Sequence, residues 1–424
     1  MKVAVLGAGY TGLTAALRLL QAGHEVILFE KSNNLGGLAQ GFKDPAWEWS
    51  LEKHYHHWFT NDNSILNLAK ELDQKVLIVR PQTSVWVNNQ GLPFDSPLSV
   101  LTFPYLSLIS RLRTGVAVLY LKLIGNYKKL EKQKALPWIK KFMGEEVSNL
   151  IWEPLFSGKF SSFKDEVILS WFWARIKKRT PSLAYPEGGF ASFTQKLADK
   201  VEDLGGKIFL NSEILSLDSS KNHCVLKTKG KTYTFDRVIS TLPSPVFAKV
   251  ATGLPQDYVK KIAASSHLHA LNLILVLKKP FLQDIYWLNI TDSSFPFLVL
   301  AEHTNFVSLE HYGNQHILYI GNYLPEGHPY LKMTPQDLLK TFDPYLKRIN
   351  PSYHRSLITT HLFVDHYAQP VMAPGYVELI ASLQSPLKNV LIANMAMVYP
   401  WDRGTNYAVE MGEKVAKMVD NEAS

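Results

Sequence analysis

Cysteine is nearly absent from this 424-residue sequence, in which Cys224 is the single example. An intramolecular disulfide is therefore excluded. Long apolar runs are also missing: the nearest approach, residues 98–124, is interrupted by Arg111 and Arg113, so a helix that spans a bilayer is not expected. No Gly-x-Ser-x-Gly motif occurs, which argues against a nucleophilic serine of the type that this motif marks.

Targeting signals are absent as well. The chain starts with an apolar, strand-like run from Met1 to Leu6, with no basic region and no cleavage site. Together with the lack of disulfides, this predicts a cytoplasmic protein. Hydrophobic residues make up 46% of the chain and charged residues 19%, which is a globular balance, and the length predicts two or three packed units.

Aromatic residues, by contrast, are plentiful. They make up 12% of the chain and include ten tryptophans. Two explanations are open: a large core, or a deep apolar pocket for a flat or greasy ligand.

Positive charge is concentrated in one segment. The formal net charge of the chain is +8, and between residues 111 and 141 nine basic side chains stand against one acid, Glu131. The nine are Arg111, Arg113, Lys122, Lys128, Lys129, Lys132, Lys134, Lys140 and Lys141. The remainder of the chain is neutral on balance, so no nucleic-acid partner is expected.

The first 30 residues read as a complete β-α-β unit. A short apolar strand leads into Gly7-Ala8-Gly9-Tyr10-Thr11-Gly12, a helix follows to about Ala22, and a second buried strand ends at Glu30. In such a turn the first glycine allows the tight bend, the second lets the backbone approach a pyrophosphate, and the third lets helix and strand pack closely. Glu30 is placed to hold both ribose hydroxyls, and its carboxylate would repel a 2′-phosphate. The unit therefore predicts a site for an adenosine diphosphate moiety.

The rest of the chain alternates helices and strands without a repeat or a flexible linker. A hairpin turn is predicted at residues 88–91, mostly helix over 98–180, a helix from Gly188 to about Leu204, alternating strands over 207–241 that include Ile214–Leu217, and a last helix from about Thr405 to Val419.

A second glycine pair, Gly36-Gly37, follows Glu30 closely, in the run Lys31-Ser32-Asn33-Asn34-Leu35-Gly36-Gly37-Leu38-Ala39. This run resembles the extended signature of the flavin amine oxidase, protoporphyrinogen oxidase and phytoene desaturase superfamily. Later segments resemble that superfamily too: 185–190 is similar to its P-x-G-G segment, 211–214 to its adenine-side strand, 236–243 to its returning strand, and 402–409 to the start of its final helix.

The resemblance implies FAD as the cofactor and covers residues 3 to about 419. It implies an α/β fold: a Rossmann-like FAD-binding domain of the glutathione-reductase type, an interleaved α+β substrate domain and a helical insert. The corresponding segments are 1–75, 185–245 and 375–424 for the FAD domain, 76–97 and 246–374 for the substrate domain, and 98–184 for the insert.

The cofactor-binding residues that follow from the glycine turn and the resemblance are Gly7, Ala8, Gly9, Tyr10, Thr11, Gly12, Glu30, Lys31, Gly36, Gly37, Leu38, Ala39, Ile214, Asn394, Asp402, Thr405 and Asn406. One position departs from the family pattern. Where these families carry Gly-Asp after the last strand, this sequence has Ala393-Asn394, so the polar contact passes to Asn394 or to Asp402. No second GxGxxG unit is present for a nicotinamide cofactor.

Three histidines, His54, His56 and His57, follow the signature loop. A metal site is not expected, because no cysteine or acid pattern completes a ligand set and a strand would point His56 and His57 to opposite faces. The stretch resembles the histidine-containing segment of UDP-galactopyranose mutase, and a histidine here would tune the flavin or act as a general acid or base near pH 7. Purely structural histidines are the alternative.

Aromatic residues combined with arginine occur twice, at 171–175 and at 399–403. The second group stands just before the last helix, where aromatics would flank the flavin and Arg403 would pair with an anionic group or with the reduced flavin. The candidate catalytic residues are Tyr55, His56, His57, Trp401 and Arg403.

The segment 98–141 mixes large apolar residues with the basic cluster. In the resembling families the corresponding insert is helical and associates with membrane, which implies contact with an anionic membrane surface, on the inner face of the membrane. A helical bundle with a solvated basic face is the alternative. The sequence does not indicate an oligomeric state.

Two enzymatic functions are compatible with these features, and a non-enzymatic, flavin-bound scaffold is a third class that explains an aromatic pocket poorly. The first is an FAD-dependent dehydrogenase or oxidase that passes hydride from an apolar or lipid-like small-molecule substrate to flavin N5. The second is a redox-neutral, flavin-dependent mutase of a sugar nucleotide.

Overall fold

The structure is a computed structural model that describes residues 1–220 and 222–423. Its strands, in chain order, are β1 (Lys2–Leu6), β2 (Glu25–Phe29), β3 (Gly41–Phe42), β4 (Leu51–Glu52), β5 (Trp58–Phe59), β6 (Val76–Val79), β7 (Gln82–Val87), β8 (Gln90–Pro93), β9 (Leu183–Pro186), β10 (Lys207–Phe209), β11 (Ser216–Ser219), β12 (Cys224–Thr228), β13 (Lys231–Phe235), β14 (Arg237–Ser240), β15 (His267–Leu277), β16 (Ile285–Ile290), β17 (Val299–Glu302), β18 (His316–Leu324), β19 (Leu357–Pro370) and β20 (Val390–Ile392).

The α-helices are α1 (Tyr10–Gln21), α2 (Asn63–Glu71), α3 (Pro97–Leu101), α4 (Leu108–Leu123), α5 (Ala135–Phe142), α6 (Glu145–Val147), α7 (Glu153–Phe160), α8 (Leu169–Lys178), α9 (Gly189–Asp203), α10 (Ser244–Val250), α11 (Gln256–Ala263), α12 (Pro335–Ile349), α13 (Tyr376–Leu379) and α14 (Thr405–Ala423).

A five-stranded parallel sheet in the order β10-β2-β1-β14-β20 holds the first glycine turn at its carboxyl edge. Alternate side chains of β1 pack on opposite faces of this sheet. Val3 and Val5 pack with helices α1, α9 and α14, whereas Ala4 and Leu6 pack against the antiparallel sheet β11-β12-β13. Burial on both faces explains why β1 and β2 are continuous apolar runs rather than alternating ones.

A second, seven-stranded sheet runs in the order β19-β15-β18-β17-β16-β7-β8 and is antiparallel except for the pair β16 and β7. Its buried side chains Ile274, Tyr286 and Tyr319 belong to the same core cluster as Val3 and Leu13 of the parallel-sheet unit. The two sheets are therefore joined by one continuous core.

Helices α3 to α8 form the helical insert between β8 and β9. Its core is rich in aromatics and includes Phe103, Trp138, Phe156, Trp171 and Phe172. Among the described residues, no helix is both long enough and apolar enough to cross a membrane.

The mixed fold with a parallel dinucleotide-binding sheet, a second sheet and a helical insert confirms the predicted fold class. The division into domains at the stated boundaries stays a prediction. The predicted hairpin turn at residues 88–91 consists of Asn88 and Asn89 alone, because Val87 already pairs with Gln90. Both asparagines have positive φ (49° and 60°), which is the conformation that matches the twist of the flanking strands.

One local prediction was wrong, and one conditional argument does not apply. Ile214 and Leu215 precede β11 instead of belonging to it, since pairing with β12 starts at Ser216. Residues 53–57 are an irregular segment between β4 and β5 rather than a strand. The histidines there are placed by individual hydrogen bonds, so the alternation argument does not apply to them.

A carboxyl group is fully buried where the two sheets meet. Glu52 accepts hydrogen bonds from the Tyr185 hydroxyl (3.0 Å) and from the backbone N–H of Phe190 (2.9 Å). Burial raises the pKa of Glu52 to about 7, although these hydrogen bonds work in the opposite direction. Folding therefore favours the protonated form of this side chain.

We expect Glu52→Gln to become more stabilising, relative to the wild type, as pH rises from 5 to 8. The raised pKa of Glu52 contributes stability that is fully present below the pKa of the unfolded state and is lost as pH rises through about 7. The loss amounts to about 1.4 kcal/mol for each pH unit between the two pKa values. Thermal unfolding of both proteins across this range measures the difference. A difference in melting temperature that is the same at pH 5 and pH 8 would contradict the expectation.

Candidate functional site

The first glycine turn has no room for side chains at two of its three glycines. Gly7 has a φ of +102°, and a Cβ on it would lie 2.5 Å from Oγ1 of Thr241. A Cβ on Gly12 would lie 1.9 Å from the carbonyl oxygen of Gly7. Helix α1 thus packs directly on the turn. Backbone contact holds the strand, the turn and the helix in their relative positions.

The N-terminus of α1 is suited to hold a pyrophosphate. Gly9 is the N-cap residue and supplies no side-chain hydrogen bond, and the first turn of the helix contains no acid. The unpaired N–H groups that follow, from Tyr10 and Thr11 onward, are therefore open to an anion at the positive end of the helix dipole. Residues of this kind fit the diphosphate of FAD.

The second glycine pair lies directly against the first turn. The N–H of Gly36 donates to the carbonyl of Ala8 (2.9 Å), and a Cβ on Gly37 would lie 3.3 Å from Cα of Gly9. Both members of the pair have positive φ, +106° and +58°. Ala39 is buried beside them, whereas Lys31 is exposed and Leu38 is half-buried.

Glu30 ties the two glycine segments together. Its carboxylate accepts hydrogen bonds from the backbone N–H groups of Ala8 and Ser32, both at 2.9 Å. Its carbonyl accepts from Ser212 (2.8 Å), which brings the chain leading to Ile214 beside it. Each carboxylate oxygen has a second lone pair, so Glu30 retains the capacity to accept from ribose hydroxyls.

Helix α14 supplies a second uncapped helix start. No acid occurs in its first turn, and Thr405 accepts a hydrogen bond from Nε1 of Trp58 (2.9 Å). The side chain of Asn406 is occupied elsewhere: its oxygen accepts from the N–H groups of Ser64 and Ile65 and so caps helix α2. Contact of Thr405 and Asn406 with the cofactor stays a prediction.

Asn394 and Asp402, the two substitutes for the missing family aspartate, lie in different surroundings. Asn394 is buried, and its amide bonds to the carbonyl of Leu242 (3.0 Å), to Oγ of Ser244 (3.1 Å) and to the N–H of Ala396 (3.1 Å). These bonds use its side chain to shape the loop after β20. A direct contact of this side chain with FAD stays a prediction, and the hydrogen bonds that it makes within the protein do not point to such a contact.

Asp402 is the centre of a cationic cluster. One carboxylate oxygen, Oδ2, lies 2.6 Å from the Arg175 guanidinium and 3.5 Å from Nζ of Lys159; the other, Oδ1, accepts from the Gln369 amide (3.3 Å) and from the N–H of Arg403 (3.1 Å). Burial alone would raise the pKa of Asp402, but the charges of Lys159, Arg175 and Arg403 outweigh it and hold this pKa far below its usual range. Asp402 is consequently a charge partner for this cluster, whereas its sequence-predicted role was contact with the cofactor.

Arg403 and Tyr55 meet through a third residue, Tyr323. The Arg403 guanidinium donates to the Tyr323 hydroxyl and to Oε1 of Gln369 (3.1 Å). The Tyr55 ring lies across Gly321 of β18, where a Cβ would approach it to 2.6 Å. Burial, and then the neighbouring Tyr323, raise the pKa of Tyr55 well above its usual value, so this phenol stays protonated at neutral pH.

The three histidines are held by separate partners. His54 lies between Asp365 (2.9 Å) and Asn272 (2.7 Å), His56 donates to the carbonyl of His54 (2.7 Å), and His57 contacts the Tyr286 hydroxyl (3.0 Å). They do not converge on one point, and no group of three metal-ligating side chains occurs in the part of the chain that the structure describes.

Burial also decides the charge of two of these histidines. Burial, with a smaller contribution from nearby arginines, lowers the pKa of His56 to about 4 and that of His57 to about 3. Both imidazoles are therefore neutral near pH 7. The expectation of a general acid or base that titrates near pH 7 is not met by His56 or His57.

Trp401 is packed between aromatic rings of the protein itself. It stacks on Trp173 (5.2 Å between ring centroids) and on Tyr407 (6.2 Å), and Nζ of Lys178 lies 5.0 Å from its ring centroid. Trp401 thus links the insert to the start of α14. Its predicted contact with flavin or substrate stays a prediction.

Sequence reasoning missed Lys159 and Tyr323. Lys159 is one of many lysines in the insert, and only its burial distinguishes it, with a side chain that is 12% exposed. Tyr323 is one of several aromatics on a buried strand. Pairing of β18 with β15 brings Tyr323 to the cluster, and no spacing in the sequence signals that contact.

Comparison with known proteins places the chain among flavoenzymes. Residues 10–419 match the family described as flavin-containing amine oxidoreductases. A zeta-carotene desaturase of Solanum lycopersicum is 30% identical over 131 residues, which are 28% of this chain and 22% of the relative, so the chain matches only about a fifth of that protein.

Two solved structures show the same fold over nearly the whole chain. A putative protoporphyrinogen oxidase from Exiguobacterium sp. 255-15 has a TM-score of 0.76 with 13% identity and 99% coverage of both chains. Reduced UDP-galactopyranose mutase has a TM-score of 0.78 with 16% identity, covering 100% of this chain and 96% of the mutase. At these identities the likeness concerns the fold alone.

We expect Gly12→Ala to abolish FAD retention, because the added methyl group would meet the Gly7 carbonyl oxygen at 1.9 Å and push α1 off the turn. Gly115→Ala, in the middle of α4 with nothing within 4 Å of its Cβ, is the matched control and should keep FAD and gain about 0.5–1 kcal/mol of stability. The flavin content of the purified variants, measured by visible absorbance, checks this. Full flavin content in Gly12→Ala would refute the assignment of this turn.

Proposed function

The chain belongs to the flavin-containing amine oxidoreductase family and is an FAD-dependent oxidoreductase, and from this premise we propose that it oxidises an apolar or lipid-like small molecule. The observation that carries the proposal is the concentration of aromatic residues next to the α14 N-terminus. Trp171 and Trp173 of α8 are buried there, with Trp401 stacked on Trp173, and Tyr323 belongs to the same core cluster. Surroundings this rich in aromatic side chains favour an apolar ligand.

Hydride transfer from the substrate to the flavin requires few proton transfers from protein side chains. When bound, FAD supplies the two-electron acceptor that takes a hydride from the substrate at N5. Three residues expected near it do not change protonation near pH 7: Tyr55 stays protonated, and His56 and His57 stay neutral. We infer that they orient the substrate and exclude water, which is what hydride transfer requires of its surroundings.

A zeta-carotene desaturase among the relatives is consistent with an apolar substrate, although the matched region is a small part of that protein. The second candidate, a redox-neutral mutase of a sugar nucleotide, is favoured by one observation. Lys159, Arg175 and Arg403 gather around a single carboxylate, and such a cluster would also attract a diphosphate.

Anaerobic titration of the holoenzyme separates the two functions. We expect an apolar substrate, with zeta-carotene and long-chain alcohols as the first probes, to bleach the visible absorption band of the oxidised flavin without any reductant. The control is UDP-galactopyranose added to dithionite-reduced enzyme. Interconversion of the sugar nucleotide with no net change in flavin redox state, and no bleaching by any lipid, would overturn the proposal in favour of the mutase.

We further propose that helix α4 docks on an anionic membrane surface. Its outward face is an exposed apolar stripe, extended by α3 at one end. The stripe consists of Leu98, Leu101, Leu108, Ile109, Leu112, Val116, Leu119, Tyr120 and Leu123, whose exposed fractions range from 44% to 73%. Spacing of three and four residues places these side chains on one helix face.

The basic residues around this stripe favour lipid as the occupant. Nine of them against one acid over residues 111–141 complement anionic headgroups, whereas a second copy of the same surface would bring like charges together. Arg111 and Arg113 also bond to backbone carbonyls at Leu106 (2.7 Å) and Phe142 (3.1 Å), so these two hold neighbouring segments in place.

Vesicle co-sedimentation tests the docking surface. Wild-type protein should bind vesicles with phosphatidylglycerol and not vesicles of phosphatidylcholine alone, and binding should weaken with added salt. Ile109→Glu with Val116→Glu should abolish binding, because both side chains are about 70% exposed and take no part in the fold. Leu215→Glu, an exposed apolar residue outside the stripe, is the control. Unchanged binding of the double variant, or a dimer that it disrupts, would contradict a lipid partner.

A further inference from the structure

We propose that the substrate carries an anionic group, a carboxylate or a phosphate, and that Lys159, Arg175 and Arg403 bind this group in front of the α14 N-terminus. The inference rests on the proposed function and narrows its substrate class, from a lipid-like molecule in general to an amphiphile with one charged end.

The charges in this cluster do not balance. Lys159 and Arg175 share the same carboxylate oxygen of Asp402, and the second oxygen is taken by Gln369 and by the backbone N–H of Arg403. The Arg403 guanidinium itself contacts only neutral groups, the Tyr323 hydroxyl and the Gln369 amide oxygen. Among residues 1–220 and 222–423, no carboxylate forms an ion pair with this guanidinium.

The cluster is also withdrawn from water. The side chains of Lys159, Asp402 and Arg175 are 12%, 18% and 30% exposed. Burial, and then the charge of Arg175, lower the pKa of Lys159 well below its usual value, which shows that the surroundings resist a further positive charge. Unbalanced buried charge costs several kcal/mol per ion, and an incoming anion relieves this cost.

Aromatic rings compensate for only part of the imbalance. Nζ of Lys159 lies 5.1 Å from the Trp171 ring centroid and 5.2 Å from that of Tyr323, and the Arg175 and Arg403 guanidinium groups lie at similar distances from these two rings. Each contact of this type stabilises a cation by less than burial of an unpaired charge costs.

Donors remain for a ligand. Lys159 carries three N–H groups and meets one acceptor, at 3.5 Å, and the Arg175 guanidinium carries five and meets one. Arg403 donates two of its five N–H groups, to Gln369 and to Tyr323. The planar edges of two guanidinium groups are suited to the paired oxygens of a carboxylate or phosphate.

A route for the anion leads from the surface. Arg179 stands one helical turn after Arg175, just beyond the end of α8, and is exposed, and Lys178 covers the outer side of Trp401. Positive charge therefore continues from the surface to the buried cluster, which attracts an anionic group and orients the substrate with this end first.

The test compares two ligands that differ only in charge at one end. Decanoate and decanol are titrated into the oxidised holoenzyme, and binding is measured by calorimetry with tryptophan fluorescence as a second readout. Decyl phosphate is run in parallel to tell a carboxylate site from a phosphate site. The variants are Lys159→Met and Arg403→Gln, and the control is Lys164→Met, a half-buried lysine on the same insert that pairs with Glu153 instead of Asp402. Flavin content is measured for each variant.

We expect wild-type enzyme and Lys164→Met to bind decanoate or decyl phosphate at least tenfold more tightly than decanol, a factor that corresponds to about 1.4 kcal/mol. In Lys159→Met and Arg403→Gln the ratio should fall to near one while flavin is retained. Equal affinities in the wild type overturn the proposal. A ratio of anion affinity to decanol affinity that is unchanged in both variants also overturns the proposal. If the flavin midpoint potential shifts in the same variants, the cations act on the flavin and not on the substrate. Binding needs no turnover, so a failed oxidation assay and a failed anion site are separate results.

Discussion

The rest of the structure depends on the contact of two glycine backbones, Gly9 in the first turn and Gly37 in the second. Any side chain at Gly37 would press on Cα of Gly9, and any side chain at Gly12 would press on the Gly7 carbonyl. This close approach leaves the first N–H groups of α1 uncovered at the carboxyl edge of the parallel sheet. These N–H groups are where we propose that the FAD diphosphate binds, and this constraint would then set the position of the rest of the cofactor.

The opposite end of the site is organised by charge rather than by close packing. Asp402 stands between the insert, which contributes Lys159 and Arg175, and the segment that begins α14. Tyr323 from the seven-stranded sheet and Arg403 complete the same network. All the major parts of the fold therefore contribute to one small volume, which explains why helices as distant in sequence as α7 and α14 are held together.

Much of the fold was predictable because its signals are local. The strand, glycine turn, helix and strand at the start, the Asn88-Asn89 hairpin and the last helix each depend on neighbouring residues. The cationic cluster was only partly predictable: Arg403 and the aromatic group at 171–175 stood out, whereas Lys159 and Tyr323 reach the site through tertiary contacts alone. The titration of His56 and His57 was not predictable from sequence. Burial lowers the pKa of both side chains well below 7, and burial cannot be read from the sequence.

We propose that bound FAD would extend from the α1 N-terminus to the Asp402 cluster. A crystal structure of the FAD-bound protein tests it most directly. The account predicts that the diphosphate accepts hydrogen bonds from the first N–H groups of α1, that Glu30 contacts the adenosine ribose, and that the isoalloxazine ring lies beside Tyr55 and Arg403. An isoalloxazine ring that lies away from Tyr55 and Arg403, or a diphosphate bound elsewhere than at the glycine turn, would contradict the account.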